Sequence, residues 1–434
     1  MVLKMKLTVF NVLVVSYILI CSLCFYRVNG NDEYDHPTSF LDGDSMRSMY
    51  RSFRDFAMRI IGQTGRRTRG AFLQDTDTKF PCNKTGMRSS TIPTSVHQLR
   101  PGDIDVIAAL GDSLTAASGA SSVRVTDLVI ENRGLSWSIG GQWSFKNSST
   151  LPNILKEYNP NLLGYSKHDA WTYHFDSQLN LAEIGASSAD MPYMAKMLVQ
   201  RIKMDKRINF NKSWKMVTIT IGGNDICSFV CTMDEPQSLP RKHKQRLVKT
   251  LRYIRDNLPR TYVNIVPTPF VRSVVMVENK PFHCQMLHHG ECSCWIGHLY
   301  NQNKEKQELY HRIQSEMHDV ESNVAQMKEF RNLKEFAVVF QPFTVGLSFE
   351  TDDKPFDSSL LAFDCFHMSQ KGHGWAGVAL WNNLLERPGN KSRNWISPKK
   401  RFICPTEKYP YFYTNDNYSE EQTFKNSVVG NSKS

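Results

Sequence analysis

Ile104-Asp105-Val106-Ile107-Ala108-Ala109-Leu110-Gly111-Asp112-Ser113-Leu114-Thr115 is the stretch whose reading decides the fold. An apolar run bounded by Pro101-Gly102 and Gly111 predicts a strand buried on both faces of a sheet, with a buried helix segment as the alternative. Ser113 then sits in the turn beyond the strand's C-terminal end, the edge of an α/β sheet where ligands bind. By itself a serine in such a turn reads as a helix cap.

Outward from this strand, apolar runs recur at Met216 to Ile221, Tyr262 to Val266 and Phe336 to Phe340. Helical periodicities fall between and after them at Ala189 to Lys206, Arg241 to Asn257, Gln302 to Leu333 and Gly372 to Leu385. Strands alternating with helices predict an α/β fold with a mostly parallel central sheet and helices on both faces. Trp137 to Trp143, rich in Gly and Trp, reads as a long ordered loop near the mouth of the site, its tryptophans packed inside or set against an acyl chain or sugar.

With 434 residues, 41% of them hydrophobic, the chain can bury a large core, so disorder is not the default. Lys4 and Lys6 precede an apolar stretch from Leu7 to Phe25, and Val28-Asn29-Gly30 offers small residues for cleavage. Residues 1–30 therefore read as a signal peptide of an exported, secreted chain, with an uncleaved N-terminal signal anchor as the alternative. Cleavage removes Lys4, Lys6 and Arg27 and no acidic residue, lowering the formal charge from +11 to +8. That sign favours anionic surfaces such as phospholipid headgroups. After Cys21 and Cys24 leave, eight cysteines remain, an even set that predicts disulfides in an oxidising compartment. Sequons at Asn83, Asn147, Asn211, Asn390 and Asn417 predict a glycoprotein. No apolar tail follows Cys404, so no C-terminal span or lipid-anchor signal is expected.

Met46 to Ile61 carries apolar residues at helical spacing. Its basic face (Arg47, Arg51, Arg54, Arg59) suits either a lipid surface or, as we expect, a helix packed on the main body. Thr64 to Pro101 lacks a period and reads as a wrapping segment. The expected organisation is a signal peptide over 1–30, a helix and wrapping segment over 31–100, a catalytic domain over 101–405 and a polar tail over 406–434.

Acyl transfer needs a nucleophile, a base, an orienting carboxylate and oxyanion donors. Asp364 and His367, three apart on a tight turn, can meet through Nδ1 and leave Nε2 for a serine hydroxyl. His373 is the competing base, but it falls within the following helical pattern and has no carboxylate three residues before it. Gly222-Gly223-Asn224-Asp225 ends another strand with an amide that can act as a donor, and Gly185 offers a backbone N–H. A Gly-x-Ser-x-Gly elbow is absent, Gly185 to Ala189 coming nearest, and so is His-Glu-x-x-His. Cys284, His288, His289, Cys292 and Cys294 have metal-like spacing but read better as a disulfide-stapled loop. A bridge from Cys227 or Cys231 would hold the segment after Asn224 in place.

Gly111-Asp112-Ser113-Leu114, Asn180 to Gly185, Gly222 to Asp225 and Asp364-x-x-His367 occur in this order, and the sequence resembles the GDSL, or SGNH, hydrolase superfamily. Ser95 to Ile104, Ala109 to Ala116, Arg133 to Gly141 and Asp364 to His373 extend the resemblance to animal phospholipase B-like proteins, over roughly residues 80 to 405. The resemblance implies a three-layer SGNH-hydrolase-like fold and an esterase acting on phospholipids or lysophospholipids through an acyl-enzyme. Ser113 would be the nucleophile, His367 the base and Asp364 its orienting partner. The oxyanion hole would be the Ser113 and Gly185 N–H groups with the Asn224 side chain. No metal, cofactor or nucleic acid is implied; the expected partner is a lipid ester met at a transient membrane or lipid-surface contact. A carbohydrate O-acetylesterase and a non-catalytic lipid- or glycan-binding glycoprotein are the alternative readings.

Overall fold

β1 (Ile104–Gly111) is buried along both faces except at Asp105, and the computed structural model shows why the rest of it is apolar. The structure describes residues 44–62, 79–276, 280–296, 304–347 and 358–418. The expected signal peptide lies outside them. Ile104, Ile107 and Ala109 join one core cluster, and Val106, Ala108 and Leu110 join the other. The register shifts between Ile104 and Val106, which resets the two-residue alternation at Asp105.

β2 (Trp214–Thr220), β3 (Thr261–Ile265) and β4 (Phe336–Phe340) follow β1 in a four-stranded sheet of spatial order β1-β2-β3-β4, every pairing parallel. All four strands lie within two residues of their expected positions. The helices between them also follow the predicted pattern: α2 (Met191–Met204), α3 (Leu239–Asn257) and α5 (Lys304–Ala325), after α1 (Asp44–Ile61) near the N-terminus. α6 (Gln370–Leu384) comes last. α4 (Phe282–Glu291) is a helix where the sequence suggested a stapled loop. The expected 302–333 helix stops at Ala325 and resumes only as a helical turn, Lys328–Phe330.

Three layers result. Leu198, Leu251 and Val324 from α2, α3 and α5 cover the Val106 face of the sheet. Leu380 and Trp381 of α6, with Ile154 of a short helix (Leu151–Lys156), cover the Ile107 face. The outer edge of β1 is covered by an irregular segment that runs parallel to it. Ile107 N donates to Leu163 O, Ala109 N to Leu179 O, Leu181 N to Ala109 O and Glu183 N to Gly111 O. Satisfying this edge with a loop carries the chain to the C-terminal end of β1 just before Gly185. Gly164 fits here because it adopts φ +92° and a Cβ would stand 2.2 Å from Ile107 O.

α1 packs on the body through Ala57 and Ile61, which meet Ile130 and Trp171. Arg54 turns inward from the expected basic face: it pairs with Glu131 at 3.3 Å and Glu183 at 3.4 Å and lies over the Trp171 ring. Arg59 is exposed, and the side chains of Arg47 and Arg51 lie outside the described residues. The body also reaches past the expected boundaries at 101 and 405. Val96 and Leu99 are buried, Cys82 bonds Cys404, and Phe412 N donates to Leu99 O. Among the described residues no helix is long and apolar enough to cross a membrane.

Candidate active site

Ser113 opens a short helix (Ser113–Ala116) directly after β1, and the Asp112 carboxylate caps it by accepting from Leu114 N at 3.0 Å. The cap is therefore Asp112, which leaves the Ser113 hydroxyl for other work. His367 Nε2 lies 2.9 Å from Ser113 Oγ, and His367 Nδ1 lies 2.7 Å from Asp364 Oδ2. The second Asp364 oxygen accepts the backbone N–H groups of Phe366 at 2.9 Å and His367 at 3.0 Å, which locks the carboxylate in the turn. Cys365 takes φ 57°, so the chain doubles back between Asp364 and His367 and brings both side chains to one side.

Electrostatics sort these groups. Burial pushes the Asp364 carboxyl up, but the adjacent His367 charge and three hydrogen bonds outweigh it and hold the group below the ordinary carboxylate range. Asp112, sealed from solvent, is pushed up to about 7 by burial. His373 is pushed down to about 3 by burial and then by the His367 charge, and its Nδ1 accepts the Trp137 N–H at 3.2 Å. That removes the competing base: His373 is a neutral core histidine holding α6 against the Trp137 loop.

The expected oxyanion donors are gathered by a set of hydrogen bonds. Asn224 Nδ2 donates to Ala186 O at 2.8 Å, which spends one amide proton and leaves the second. Asp225 accepts from Ser188 N at 2.8 Å and Ser188 Oγ at 2.6 Å, tying the Gly185 loop to the end of β2. Asn180 Nδ2 donates to Thr115 O at 3.1 Å, so the 180–185 block is also tied to the Ser113 turn. Gly185 itself has φ 75°, a left-handed backbone that suits glycine beyond any need for close approach. Ser113 and Asn224 line the same cleft, whereas Gly185 is not among its lining residues.

The cleft wall is mostly apolar. Leu114, Trp137, Val274, Phe343, Phe366 and Trp395 contribute to it. Trp137 is buried against Phe343 at 5.7 Å between ring centroids, so it is both core and wall. Phe343 and Trp395 come from segments with no local motif, and only the folded chain places them beside Ser113.

All eight described cysteines pair: Cys82–Cys404, Cys227–Cys292, Cys231–Cys294 and Cys284–Cys365. The Cys284 to Cys294 cluster is thus the expected stapled region, built on a helix. Both Cys227 and Cys231 tie the segment after Asn224 to it. Among the sequons, Asn83, Asn211 and Asn390 are exposed and Asn147 is half-buried. Asn417 Nδ2 donates to His97 O at 3.0 Å and Phe412 O at 2.8 Å, so a glycan there would replace one of the two N–H donors these bonds use.

Residues 107–380 match the profile of the GDSL-like lipase/acylhydrolase family. The chain belongs to that family. The family match spans the Ser113 turn, the Gly222 to Asp225 block and the Asp364 to His367 turn. Human membrane-associated phospholipase B1 is 40% identical over 331 residues, which is 75% of this chain and 22% of that protein. The mouse and rat proteins of the same name are 36% and 35% identical, also over 75% of this chain and 22% of theirs. The chain thus spans about a fifth of the length of these relatives. Among solved structures, an extracellular lipase from Streptomyces rimosus aligns with TM-score 0.32 at 13% identity, covering 64% of this chain and 98% of that one. A phospholipase A1 from Streptomyces albidoflavus aligns with TM-score 0.30 at 12% identity over the same shares.

Proposed function

We propose that this GDSL-family chain is a secreted serine esterase of phospholipids and lysophospholipids. The carrying observation is the continuous relay Asp364–His367–Ser113, with spacings of 2.7 and 2.9 Å, beside a cleft whose wall is mostly apolar. Ser113 Oγ attacks the ester carbonyl carbon while its proton moves to His367 Nε2. The oxyanion accepts hydrogen bonds from the Ser113 N–H and the second Asn224 amide proton, whose residues line the cleft, and the Gly185 N–H is the third donor on the family resemblance alone. As the tetrahedral intermediate collapses, His367 returns the proton to the departing alcohol oxygen and an acyl-Ser113 ester remains. Water then repeats the sequence, losing its proton to His367, and the fatty acid leaves.

The apolar wall favours a long acyl chain over the acetyl group of a decorated sugar. The phospholipase B1 relatives and the basic charge of the mature chain support a lipid substrate met at an anionic surface. Residues 1–30 are proposed as the signal peptide, and Asn83, Asn147, Asn211 and Asn390 as the better-presented glycan acceptors. Lipid-product mass spectrometry on the purified protein tests the substrate. Ser113→Ala is expected to abolish fatty acid release from phosphatidylcholine while the protein folds and is secreted. Full release by that variant overturns the assignment, and acetate release from acetylated glycans without fatty acid release selects the carbohydrate esterase.

A further inference from the structure

The excess positive charge of this chain is gathered on one helix. α3 carries seven basic residues against the single acid Asp256, a net of +6, where the whole chain after cleavage would hold +8. Its inner side, through Leu247, Leu251 and Ile254, joins the core under the Val106 face of the sheet. Its exposed side chains are Arg241, Lys244, Gln245, Lys249, Arg252 and Asp256, none of them apolar. Part of this charge is matched. Arg246 lies 2.9 Å from Ser188 Oγ and 3.7 Å from Asp225, Arg252 and Arg255 reach Glu329 at 2.8 and 3.1 Å, and Arg255 also reaches Asp256 at 2.7 Å. Arg241, Lys242, Lys244 and Lys249 have no carboxylate within ion-pair distance among the described residues. Asp234 and Glu235 precede the helix and α5, packed along it, exposes Glu316 and Asp319, yet none of them pairs with these four. α2, also packed along α3, has Lys196, Arg201 and Lys203 and no acid from Met191 to Met204.

We propose that the outer face of α3 docks a sulfated glycosaminoglycan, which holds the exported protein at a cell surface or matrix while its cleft stays open. The helix fixes four unmatched cations along about 12 Å of its axis, where like charges a turn apart repel one another. A linear polyanion laid along the helix relieves that repulsion and releases its own counterions. Two properties select this partner over a lipid bilayer. The face has no exposed apolar side chain to enter the acyl region, the feature that seats an amphipathic helix in a membrane. No α3 residue lines the cleft, and the cleft residues Trp137, Phe343 and Trp395 belong to the core cluster on the opposite face of the sheet from α3. A polymer on α3 therefore leaves the way to Ser113 clear.

The test is binding of the full chain to heparin as a function of salt. The parent is expected to elute from immobilised heparin at higher NaCl than from a sulfopropyl resin, which offers the same sign of charge without a chain of sulfates. Combining Arg241→Gln, Lys244→Gln and Lys249→Gln should lower the slope of log affinity against log salt by about two to three, one phosphate-type contact being lost with each cation. Combining Lys79→Gln, Lys212→Gln and Lys334→Gln, three exposed lysines on other elements, removes the same charge and should leave the slope unchanged. Equal loss in both triple variants, or a parent that elutes no later from heparin than from sulfopropyl resin, overturns the docking face. So does binding to vesicles of phosphatidylcholine and phosphatidylserine in 7:3 ratio that the α3 variant loses while its heparin slope stays that of the parent. Should the α3 variant not fold, acetylation of the unaltered protein gives the answer: heparin is expected to protect Lys244 and Lys249 and leave Lys79 and Lys334 reactive, and uniform protection overturns the assignment. Heparin binding reads no turnover, so its failure leaves the esterase reading intact, and a protein without esterase activity can still bind.

Discussion

Asp364→Asn isolates the electrostatic part of the relay without disturbing its scaffold. The asparagine Oδ1 can still accept the Phe366 and His367 backbone N–H groups that the carboxylate accepts at 2.9 and 3.0 Å. Its NH₂ then faces His367 Nδ1, which can only accept. The ring proton is forced to Nε2, and Ser113 Oγ, 2.9 Å away, loses its base. The charge lost matters as much. An imidazolium nitrogen 2.7 Å from a carboxylate oxygen gains about 6 kcal/mol at an effective dielectric of about 20, equivalent to between four and five decades in rate. Because Asp364 is fully buried, solvent screens little of this. We expect kcat to fall about 10⁴-fold with KM nearly unchanged, since Asp364 is not among the residues lining the cleft. The assay is turnover of a short-chain p-nitrophenyl ester alongside phosphatidylcholine, with circular dichroism as the control for folding. A folded variant that loses less than tenfold refutes the reasoning.

Two further predictions concern stability. Asp112 has a folded-state pKa raised to about 7 from an ordinary 3.8, so the native state binds its proton more tightly than the unfolded chain does. Its contribution is most favourable below about pH 4, and stability falls as pH rises to about 7, by about 4 kcal/mol in all. Asp112→Asn preserves the cap on Leu114 N and removes this dependence, so the variant should melt higher than the parent at pH 8 and converge with it at pH 4; parallel melting curves at both pH values count against it. Arg54→Ala leaves Glu131 and Glu183 with one fewer cation in a buried cluster, although Arg133 remains 2.6 Å from Glu131. A cost of about 3 kcal/mol and release of α1 to proteolysis are expected, and an unchanged denaturation midpoint refutes the docking role.

Much of this architecture is legible residue by residue. β1 reads as a doubly covered strand because both of its alternating faces are apolar and Pro101-Gly102 and Gly111 bound it, and the fold settles this against the buried-helix alternative. Asp364 and His367 read as a pair because three residues on a turn bring them within reach. Gly222-Gly223-Asn224-Asp225 reads as a strand end offering an amide. Other features had no local signature. Arg54 read as part of a basic face suited to a lipid surface or to the main body, and only the buried Glu131 and the half-buried Glu183, 77 and 129 residues away, draw it inward. α4 was hidden because its cysteines and histidines dominate the pattern and its moderate apolar content gives a weak period. The segment from 406 looked like a polar tail, yet Phe412 is fully buried beside Leu99 and Trp381.

The sequence by itself determined the strands, the long helices, the even cysteine set and the four ordered blocks, because each depends on neighbours a few residues apart. The tertiary structure decided what depends on distance in space. It set Asp112 rather than Ser113 as the helix cap, and made His373 a core residue. It paired Cys284 with Cys365 and assembled the apolar cleft wall from remote segments. The physical reason is that periodicity and turn geometry act along the chain. Desolvation, Coulomb attraction and packing act between groups that only the finished fold brings together.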